Sequence, residues 1–430
     1  MEKLFDLFYE CKSVCTDTRK ITPDCLFICL SGSNFNGNTF ANQALELGAK
    51  YVIIDDKQFA NSSEIYLVDN CLIFLQKLAN FHRKKFNLPV IGITGSNGKT
   101  STKELINCVL SKKYKTLATI GNLNNHIGVP LTLLNLNKTH EIAIIEMGAN
   151  KFKDIEELCE IAEPNFGIIT NIGKAHLEGF INFEGVLKTK TELYHSVSTN
   201  KGVLFFNLDD EILKSHLPKN TESFSFGTDK TADIVGELIG LTPFVNLKWT
   251  SKTFHSEELQ TAMIGKYNFY NFLAAIAFGS YFNVPNEAIS EAITEYQPTN
   301  NRSQIQKTKK NTLILDAYNA NPTSMRSAIE SFAIIENHSK IAILGDMFEL
   351  GSESQKEHEQ IVSMIEDLNI KAFFVGKRFF ESKNKENNKI KFFEDKIIFK
   401  EYLDKNEFSD TLILLKGSRG IGLEELVEKL

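Results

Sequence analysis

The run VIGITGSNGKTSTKE, from Val90 to Glu104, constrains the fold of this chain more than any other segment. An apolar stretch comes first, a glycine-containing turn follows, and the remainder favours a helix, so the run predicts a buried strand, a loop and a helix. Gly95 and Gly98 would let the backbone wrap closely around phosphate oxygens, and the N-terminus of the helix would add donors. The segment therefore predicts a nucleotide-phosphate site at the carboxyl end of a parallel strand.

The chemistry of this loop depends on the two residues that begin the helix. Lys99 would neutralise the β- and γ-phosphates, and the Thr100 hydroxyl would ligate magnesium. The spacing departs from the general P-loop pattern, because Ile93 stands where that pattern has its first glycine. The alternative is a glycine turn before a helix with no ligand. The nucleotide-binding residues predicted in this segment are Gly95, Ser96, Asn97, Gly98, Lys99, Thr100 and Ser101.

The chain has 430 residues, which is too many for one hydrophobic core, and its texture predicts an α/β protein of three domains. Residues 1–85 carry short strands between turn residues and predict a small α/β substrate domain. Residues 86–296 alternate apolar runs with helices, which favours a central P-loop domain with a parallel sheet. Residues 297–430 predict a third, Rossmann-like α/β domain. Within it, the polar stretch 383–391 is expected to be a surface loop, and residues 422–430 a closing helix.

The net charge of -6 limits the possible partners of this chain. A mildly acidic protein is a poor match for general nucleic-acid binding, which requires a basic face. No stretch approaches the roughly 20 apolar residues that span a bilayer, and no secretory signal is visible. We therefore expect a cytoplasmic protein that binds no nucleic acid and has no integral membrane association. We also expect a monomer. The seven cysteines lack the spacing of metal or redox motifs and are expected to be structural thiols.

Glu146 lies at the end of a second buried strand, in the segment IIEMGAN. Ligands of open parallel sheets bind at the carboxyl ends of the strands, so this carboxylate is expected beside the phosphate loop. Carboxylate oxygens suit magnesium, a hard cation. His176 follows the next strand, but a single histidine is more often a surface or core residue than a metal ligand.

The TGSNGKTS form of the loop resembles the Mur ligases and the folylpolyglutamate synthases, and the resemblance to the Mur ligases extends over nearly the whole chain. The segment GNLNNHIGVPLTLL matches a family segment that reaches the muramoyl substrate and the phosphoryl-transfer site, which implies a substrate role for Asn122. IIEMGAN and NIGKAHLEGF match segments whose glutamate and histidine hold a second magnesium ion, which implies that role for Glu146 and His176. The stretch from residue 220 to 261 carries no recognisable motif.

The same resemblance assigns an unusual role to Lys190, in the segment VLKTKTELY. It matches a family lysine that carries a carbamate formed with carbon dioxide. Two magnesium ions near the phosphates need anionic oxygen ligands, and a carbamate turns a cation into one. Lys188, two residues away, is the alternative assignment. The resemblance thus implies the metal ligands Thr100, Glu146, His176 and Lys190, and the catalytic residues Lys99, His176 and Lys190.

Further nucleotide contacts are implied by segments around the junction of the second and third domains. GKYNFYNFLAA resembles the family helix near the adenine, which implies contacts from Asn268 and Asn271. Tyr267 stands where the family pattern has a histidine, which leaves the stacking partner open. Arg302 matches the family arginine at the entry to the third domain, and Asp316 matches the acidic residue that takes the ribose hydroxyls.

The outer domains carry segments that resemble one branch of the family. DAYNANP, LGDMFELG and LLKGSRG in the third domain resemble the branch that adds D-alanyl-D-alanine, and the first of them implies Asn319 and Asn321 as substrate-binding residues. TDTRKI and LSGSNFNGN in the first domain resemble UDP-muramoyl-binding segments. They imply contacts from Thr18, Arg19 and Asn36, although the branch often has Asp-Gly-His where this chain has Asn-Gly-Asn.

Together, these segments imply an ATP-dependent amide ligase. It would join D-alanyl-D-alanine to a UDP-linked muramoyl tripeptide through an acyl phosphate, with two magnesium ions. A sister ligase that adds another amino acid, or a folylpolyglutamate synthase, would share the central domain, but the first domain and the YNAN segment argue against both. A P-loop switch or motor ATPase, or a catalytically silent nucleotide-binding module, would belong to a different class. The joint presence of Lys99, Glu146, His176 and Lys190 argues against the silent module.

Overall fold

The protein is described by a computed structural model over residues 2–173, 177–180, 182–299 and 301–430. Within these ranges the strands form three sheets, one in each successive part of the chain. Three α/β domains were predicted from the sequence, and the fold class is confirmed. No helix in the described ranges is both long and apolar enough to cross a membrane.

The first domain is built on a small parallel sheet. Its strands are β1 (Ser13–Cys15), β2 (Cys25–Ile28), β3 (Tyr51–Ile54) and β4 (Ile65–Leu67), paired in that order. Its helices are α1 (Asp6–Tyr9), α2 (Ala41–Glu46) and α3 (Cys71–Arg83). All four residues of β2 are buried, as expected for a short apolar strand in a parallel sheet that is covered on both faces.

The central domain holds the largest sheet. Its strands are β5 (Val90–Thr94), β6 (Thr116–Ala118), β7 (Ile142–Glu146), β8 (Phe166–Ile169), β9 (Val203–Asn207), β10 (Glu222–Gly227), β11 (Ile234–Gly240), β12 (Asn246–Ser251), β13 (Phe254–His255) and β14 (Leu259–Gln260). The parallel part runs β6–β7–β5–β8–β9–β10–β11. The stretch without a recognisable motif extends this sheet, because β12 pairs antiparallel with β11, and β13 and β14 pair with β12.

Helices cover both faces of the central sheet. They are α4 (Lys99–Leu110), α5 (Gly128–Leu133), α6 (Asp154–Ala162), α7 (Leu177–Phe180), α8 (Phe183–Thr199), α9 (Glu211–Ser215), α10 (Lys266–Tyr281) and α11 (Asn286–Glu295). One core contains buried side chains of α4, α10 and α11, and the other contains those of α5, α6 and α8 together with the first domain. The apolar sequence of α10 follows from this arrangement, because the helix lies in the centre of its core.

The third domain has a second mixed sheet. Its strands are β15 (Gln304–Lys307), β16 (Thr312–Asp316), β17 (Lys340–Gly345), β18 (Lys371–Val375), β19 (Ile390–Phe393) and β20 (Leu412–Lys416). The order is β15–β16–β20–β17–β18–β19, and β15 is antiparallel to β16 while the other pairs are parallel. The helices are α12 (Pro322–Ile334), α13 (Ser354–Asp367), α14 (Lys377–Phe380) and α15 (Lys396–Lys405).

One local prediction for the third domain was wrong in part. The stretch 383–391, expected to be a surface loop, contains a short 3-10 helix and then enters the edge strand β19, where Ile390 is buried. The closing segment is a helix, as predicted, and it takes the 3-10 form over Leu423–Lys429. It packs Leu423 and Leu426 against the sheet, so tertiary packing determines its form.

Helix α3 fastens the first domain to the central one through hydrogen bonds to free carbonyl groups. Asn80 donates to the carbonyls of Glu160 and Ile161 at 3.0 and 3.1 Å. Arg83 donates to the carbonyls of Ala162 and Glu163 at 2.9 and 3.0 Å. These carbonyls lie at the end of α6, where a helix has no partners of its own.

Candidate functional site

The phosphate loop connects β5 to α4, as the sequence predicted for this segment. Gly95 has a φ of +144°, and a Cβ there would lie 2.0 Å from the Thr170 hydroxyl. Gly98 has a φ of +79°, which L side chains rarely adopt. The loop therefore needs glycine at both positions. It leaves the first amide groups of α4 directed at the space above the sheet, where an anion is stabilised.

Lys99 curls back over this loop. Its Nζ donates to the carbonyl oxygen of Gly95 at 2.7 Å and to that of Ser96 at 3.3 Å. Burial lowers the pKa of Lys99, while the Glu146 carboxylate acts in the opposite direction. The ammonium thus lies at the mouth of the phosphate loop, where Lys99 was predicted to meet the β- and γ-phosphates.

The loop rests on the residues that follow β8. The Asn97 amide donates to Asn171 Oδ1 at 3.0 Å, and the Thr170 hydroxyl donates to the Asn97 carbonyl at 2.6 Å. The Ser96 hydroxyl donates to the Gly173 carbonyl at 3.1 Å and accepts from the Gly173 amide at 2.9 Å. These bonds fix the loop to the strand end beside it.

A cavity of about 1320 Å³ opens above the phosphate loop, between the central and third domains. It brings together most of the site residues that were predicted for those two domains. The predicted residues that line it are Ser96, Asn97, Gly98, Lys99, Thr100, Ser101, Asn122, Glu146, Asn268, Asn271, Arg302, Asp316, Asn319 and Asn321.

Glu146 is the best candidate for a magnesium ligand in the described residues. It is 1% exposed, and its Oε1 accepts from Asn124 Nδ2 at 2.8 Å. Its Oε2 is buried and has no hydrogen-bond partner in the part of the chain that the structure describes. A buried carboxylate oxygen that lacks a partner beside a phosphate loop fits a hard cation. No group of three His, Cys, Asp or Glu side chains in the described ranges could hold a metal, so an ion at Glu146 would take further ligands from outside such a group, phosphate oxygens among them.

Two other residues, His176 and Lys190, were predicted as metal ligands. His176 lies outside the described residues. Lys190 lies on α8, is 2% exposed, and has its Nζ 5.9 Å from the centre of the Phe180 ring. Burial, and next the ammonium of Lys99, hold the pKa of Lys190 well below its usual range. Lys188 is exposed on the same helix.

The two asparagines of α10 are occupied by protein partners. Asn271 accepts from the Thr102 hydroxyl at 3.0 Å and donates to Asn268 Oδ1 at 2.8 Å. Asn268 donates to the carbonyl of Ile264 at 2.7 Å. A Cβ on Gly98 would lie 2.9 Å from Asn271 Oδ1. The pair therefore supports the phosphate loop from below, in addition to lining the cavity.

Tyr267, which replaces the family histidine, is directed toward the third domain. Its hydroxyl is 2.8 Å from the Ser303 hydroxyl, and burial raises the pKa of Tyr267. Tyr270, one turn further on, also lines the cavity. Burial, followed by the Asp209 carboxylate, raises the pKa of Tyr270 to about 12.

The third-domain side of the cavity contains two residues that were not assigned from the sequence, Lys416 and Tyr318. Lys416, which is 2% exposed, donates to Asp316 Oδ2 at 2.6 Å. The Arg302 guanidinium lies 3.9 Å from the centre of the Tyr318 ring. Both missed residues stand inside the quoted segments LLKGSRG and DAYNANP, so position within those motifs was the available signal. Asp209 and Asp210, after β9, also line the cavity and were missed.

The predicted residues of the first domain do not line the main cavity. Arg19 pairs with Asp17 at 2.8 Å on the surface, and Thr18 stands beside it. Asn36 lines a separate concavity of about 720 Å³ together with Asn38 and Asp55. Asn38 is 2% exposed, and its Nδ2 donates to Asp55 Oδ1 at 2.7 Å. The asparagine in place of the branch histidine thus has a structural partner.

The segment LGDMFELG forms a fixed loop after β17. The Ser418 hydroxyl accepts from the Phe348 amide at 2.9 Å, and the Ser418 amide donates to the Asp346 carbonyl at 3.0 Å. His358, on α13, accepts from the Met347 amide at 3.0 Å through Nε2. This loop and the LLKGSRG segment are therefore joined at the carboxyl edge of the third sheet.

Comparisons with known proteins cover the chain from its first to its third domain. Three family models match in order: "Mur ligase family, catalytic domain" at residues 10–83, "Mur ligase middle domain" at 93–279, and "Mur ligase, glutamate ligase domain" at 301–419. The UDP-N-acetylmuramoyl-tripeptide--D-alanyl-D-alanine ligase of Bacillus subtilis (strain 168) is 35% identical, and the match covers 97% of this chain and 92% of that protein.

Two solved structures are also similar over their full length. MurF from Acinetobacter baumannii superposes with a TM-score of 0.89 at 29% identity, covering 100% of this chain and 98% of that chain. MurF ligase from Thermotoga maritima, in complex with ADP, has a TM-score of 0.86 at 25% identity, covering 99% of this chain and 97% of that chain.

Proposed function

The chain belongs to the Mur ligase family, and we propose that it uses ATP to join D-alanyl-D-alanine to the tripeptide carboxylate of UDP-N-acetylmuramoyl-tripeptide. The observation that carries this function is the match over 97% of the chain to a relative whose name states both substrates. The relative with ADP bound supports a nucleotide in the large cavity. The product is a peptidoglycan precursor.

Each domain would hold one part of the reaction. Residues 1–85 would bind the UDP-muramoyl end of the acceptor, with contacts from Thr18, Arg19 and Asn36. Residues 86–296 would bind ATP. Residues 297–430 would bind the incoming dipeptide and part of the nucleotide, because Arg302 and Asp316 line the same cavity as the phosphate loop.

The chemistry requires activation of a carboxylate. A tripeptide carboxylate oxygen attacks the γ-phosphorus of ATP, which forms an acyl phosphate and releases ADP. The dipeptide amine then attacks the acyl carbon, loses a proton and expels phosphate, which forms the amide bond. The protein's main contributions are to position three reactants and to stabilise charge on the transferring phosphoryl group.

The phosphate loop supplies that stabilisation. Lys99 would exchange its bonds to the Gly95 and Ser96 carbonyls for bonds to phosphate oxygens. The amide groups at the start of α4 would donate hydrogen bonds to the other phosphate oxygens. Asn122, which lines the cavity, would contact the acceptor near the reacting carboxylate.

Magnesium fits the residues on this side of the cavity. Thr100 would hold one ion, and Glu146, with its unpartnered Oε2, would hold a second together with His176. When bound, the ions would neutralise phosphate charge as it develops in the transition state. Within the chain, Asn124 orients the Glu146 carboxylate by donating to Oε1.

A carbamate on Lys190 is part of the proposal. A free ammonium at this position would repel cations held nearby, whereas a carbamate would supply anionic oxygen. Carbamate formation needs a neutral amine, and burial favours that form by lowering the pKa of Lys190. Lys188 is exposed and has no such environment.

One assay tests the proposed function directly. Purified protein is incubated with ATP, magnesium and UDP-N-acetylmuramoyl-tripeptide, and with a panel of single D-amino acids and dipeptides. The expected product has gained the mass of D-alanyl-D-alanine. A product that has gained a single residue would place the protein with the sister ligases, and addition of glutamate to a folate would indicate a folylpolyglutamate synthase.

A further inference from the structure

We propose that the side chains of Asn321 and Asn97 form a clasp that couples the position of the third domain to the phosphate loop. This inference rests on the proposed function, since it concerns how the ligase assembles its nucleotide site. Asn321 was predicted to bind substrate. In the structure both ends of its amide are engaged by protein groups.

The helix cap determines the orientation of the Asn321 amide. Asn321 is the N-cap of α12, and its Oδ1 accepts from the Ser324 amide at 2.9 Å. The Ser324 hydroxyl accepts from the Asn321 amide at 3.1 Å, which completes a capping box. Because a capping atom must accept a hydrogen bond, the oxygen faces the helix and the NH₂ group faces outward.

The outward NH₂ group reaches the central domain. Asn321 Nδ2 donates to Asn97 Oδ1 at 2.7 Å, across a sequence separation of 224 residues. This bond in turn determines the orientation of the Asn97 amide, since its oxygen must face Asn321. Asn97 Nδ2 is buried and has no hydrogen-bond partner among the residues that the structure describes.

Asn97 is itself held rigidly within the phosphate loop. Its amide and its carbonyl are both bonded to residues 170–171, so the backbone is fixed and only the side chain is free to reach the third domain. Any displacement of α12 relative to the loop must therefore break the bond to Asn321. The contact joins the first turn of α12 to the centre of the nucleotide site.

The consequence for the site follows from the position of Asn321 in its own domain. It lies one residue beyond the pair Tyr318 and Asn319, which line the cavity, and this pair comes shortly after Asp316 at the end of β16. The bond between Asn321 and the phosphate loop thus places the third-domain side of the cavity next to the nucleotide phosphates. Loss of the bond is expected to weaken nucleotide binding and dipeptide use together.

A simple helix cap is the competing explanation for Asn321, and Asn321→Ser separates the two. Serine caps a helix about as well as asparagine but is too short to reach Asn97. Asn97→Ala removes the bond from the other side. The matched control is Asn70→Ser, because Asn70 caps α3 in the same way, through the Ile73 amide at 2.9 Å, and lies outside the nucleotide site.

The test is a double-mutant cycle on the affinity for a non-hydrolysable ATP analogue with magnesium, measured by calorimetry. A net hydrogen bond of ordinary strength predicts that Asn321→Ser weakens binding about fivefold and that Asn97→Ala has no further effect in its presence. Circular dichroism and the unfolding temperature of both variants should match those of Asn70→Ser, whose affinity should equal that of the wild type.

Multiplicative effects of the two substitutions, or an Asn321→Ser variant with wild-type affinity, would overturn the clasp. The readout needs no amide-bond formation, so it stays valid if the ligase assay fails. In an active enzyme, the same cycle on kcat/KM for D-alanyl-D-alanine should show the same coupling. If each substitution lowers kcat/KM but the two effects are independent in the double variant, Asn321 and Asn97 act as separate contacts and the clasp is contradicted.

Discussion

Lys99 is held over the phosphate loop by the carbonyl groups of Gly95 and Ser96. Its charge is therefore already placed where negative charge grows during phosphoryl transfer. Lys99→Ala should lower turnover by about 100- to 1000-fold, the usual effect of removing one such group. Phosphate release measures the loss, and circular dichroism checks that the fold is intact. An Ala variant that keeps a substantial fraction of activity would contradict the role of Lys99.

Lys190 and Lys188 offer a comparison within one helix. Lys190→Ala should lose activity, because the site would lack an anionic ligand, and acetate or formate should partly restore it by filling the vacated space. Lys188→Ala should be nearly silent, as expected for a solvated position. Turnover with and without the added carboxylate measures both. The reverse pattern of activities would show that Lys188 is the modified residue, and an active enzyme with an unmodified Lys190 by mass would refute the carbamate.

The sequence could predict which residues line the cavity of the central domain, because those residues follow strand ends. The resemblance assigned the carbamate to Lys190 and kept Lys188 as the alternative, because a motif alone does not show which of the two side chains is buried. Residues two apart on a helix face nearly opposite directions, so the two side chains cannot face the same cavity, but the register of α8 depends on packing. The structure exposes Lys188 and buries Lys190. Asn268 and Asn271 were expected to contact nucleotide, and their bonds within the protein could not be read from a motif.

At the scale of elements, α13 holds the loop after β17 through one imidazole. His358 Nδ1 lies 2.7 Å from the Ser354 carbonyl, to which it must donate, so Nε2 is left to accept from the Met347 amide. Burial lowers the pKa of His358, which favours this neutral form. His358→Leu would leave the Met347 amide unpaired, at a cost of about 1–3 kcal/mol in the free energy of unfolding.

The expected functional result of His358→Leu is a higher KM for D-alanyl-D-alanine with little change in the KM for ATP. His358→Gln, which can still accept from the Met347 amide, should recover part of the loss. Ile361→Val, on the same buried face of α13, is the control for stability alone. Urea unfolding and steady-state kinetics measure these effects. Equal changes in both KM values would assign His358 a purely structural role.

Helix α3 carries a buried histidine, His82, that contacts the central domain. His82 is buried, and the Leu136 carbonyl accepts from its Nε2 at 2.9 Å. Burial lowers the pKa of His82 below the ordinary 6.5. A histidine whose pKa is lower in the folded protein than in the unfolded chain contributes stability at pH values above its unfolded pKa. This contribution is lost as the pH falls through its folded pKa.

The wild type should therefore lose more stability than His82→Gln as the pH falls below about 6.5, where the unfolded chain takes up the proton more readily than the folded protein. Glutamine can donate to the Leu136 carbonyl but does not titrate. Urea unfolding at several pH values gives the difference in slope, since the other ionisable groups are common to both proteins. Parallel pH profiles would contradict a contribution from His82.

Element prediction was least successful where tertiary contacts decide the structure. The stretch from residue 220 to 261 carries no motif, yet it extends the central sheet with β10 to β14, because a strand can join a sheet edge wherever its neighbour has free backbone groups. The strand β19 begins in a polar stretch, and its apolar residues Phe392 and Phe393 bury only because β18 lies beside it. Buried parallel strands such as β5 and β7 were predictable from their apolar runs alone.

The central and third domains share the large cavity, and the first domain is attached to the central one. Helix α3 joins the first domain to the central one through main-chain acceptors. The third domain contributes Arg302, Asp316 and Tyr318 to the cavity that holds the phosphate loop. An acyl phosphate formed in such a cavity is protected from water only when the domains are together. We therefore expect ATP use to depend on the presence of both substrates.

Phosphate release is expected to require both the muramoyl tripeptide and D-alanyl-D-alanine. Without the tripeptide no carboxylate is present to attack ATP, and without the dipeptide the acyl phosphate has no amine to react with. The rate of phosphate release is measured in four mixtures, one complete and three lacking one or both substrates. The rate with the Lys99→Ala variant gives the background. Steady release should appear only in the complete mixture. Fast ATP turnover that neither substrate changes would instead identify a switch or motor ATPase, whose hydrolysis needs no amide acceptor.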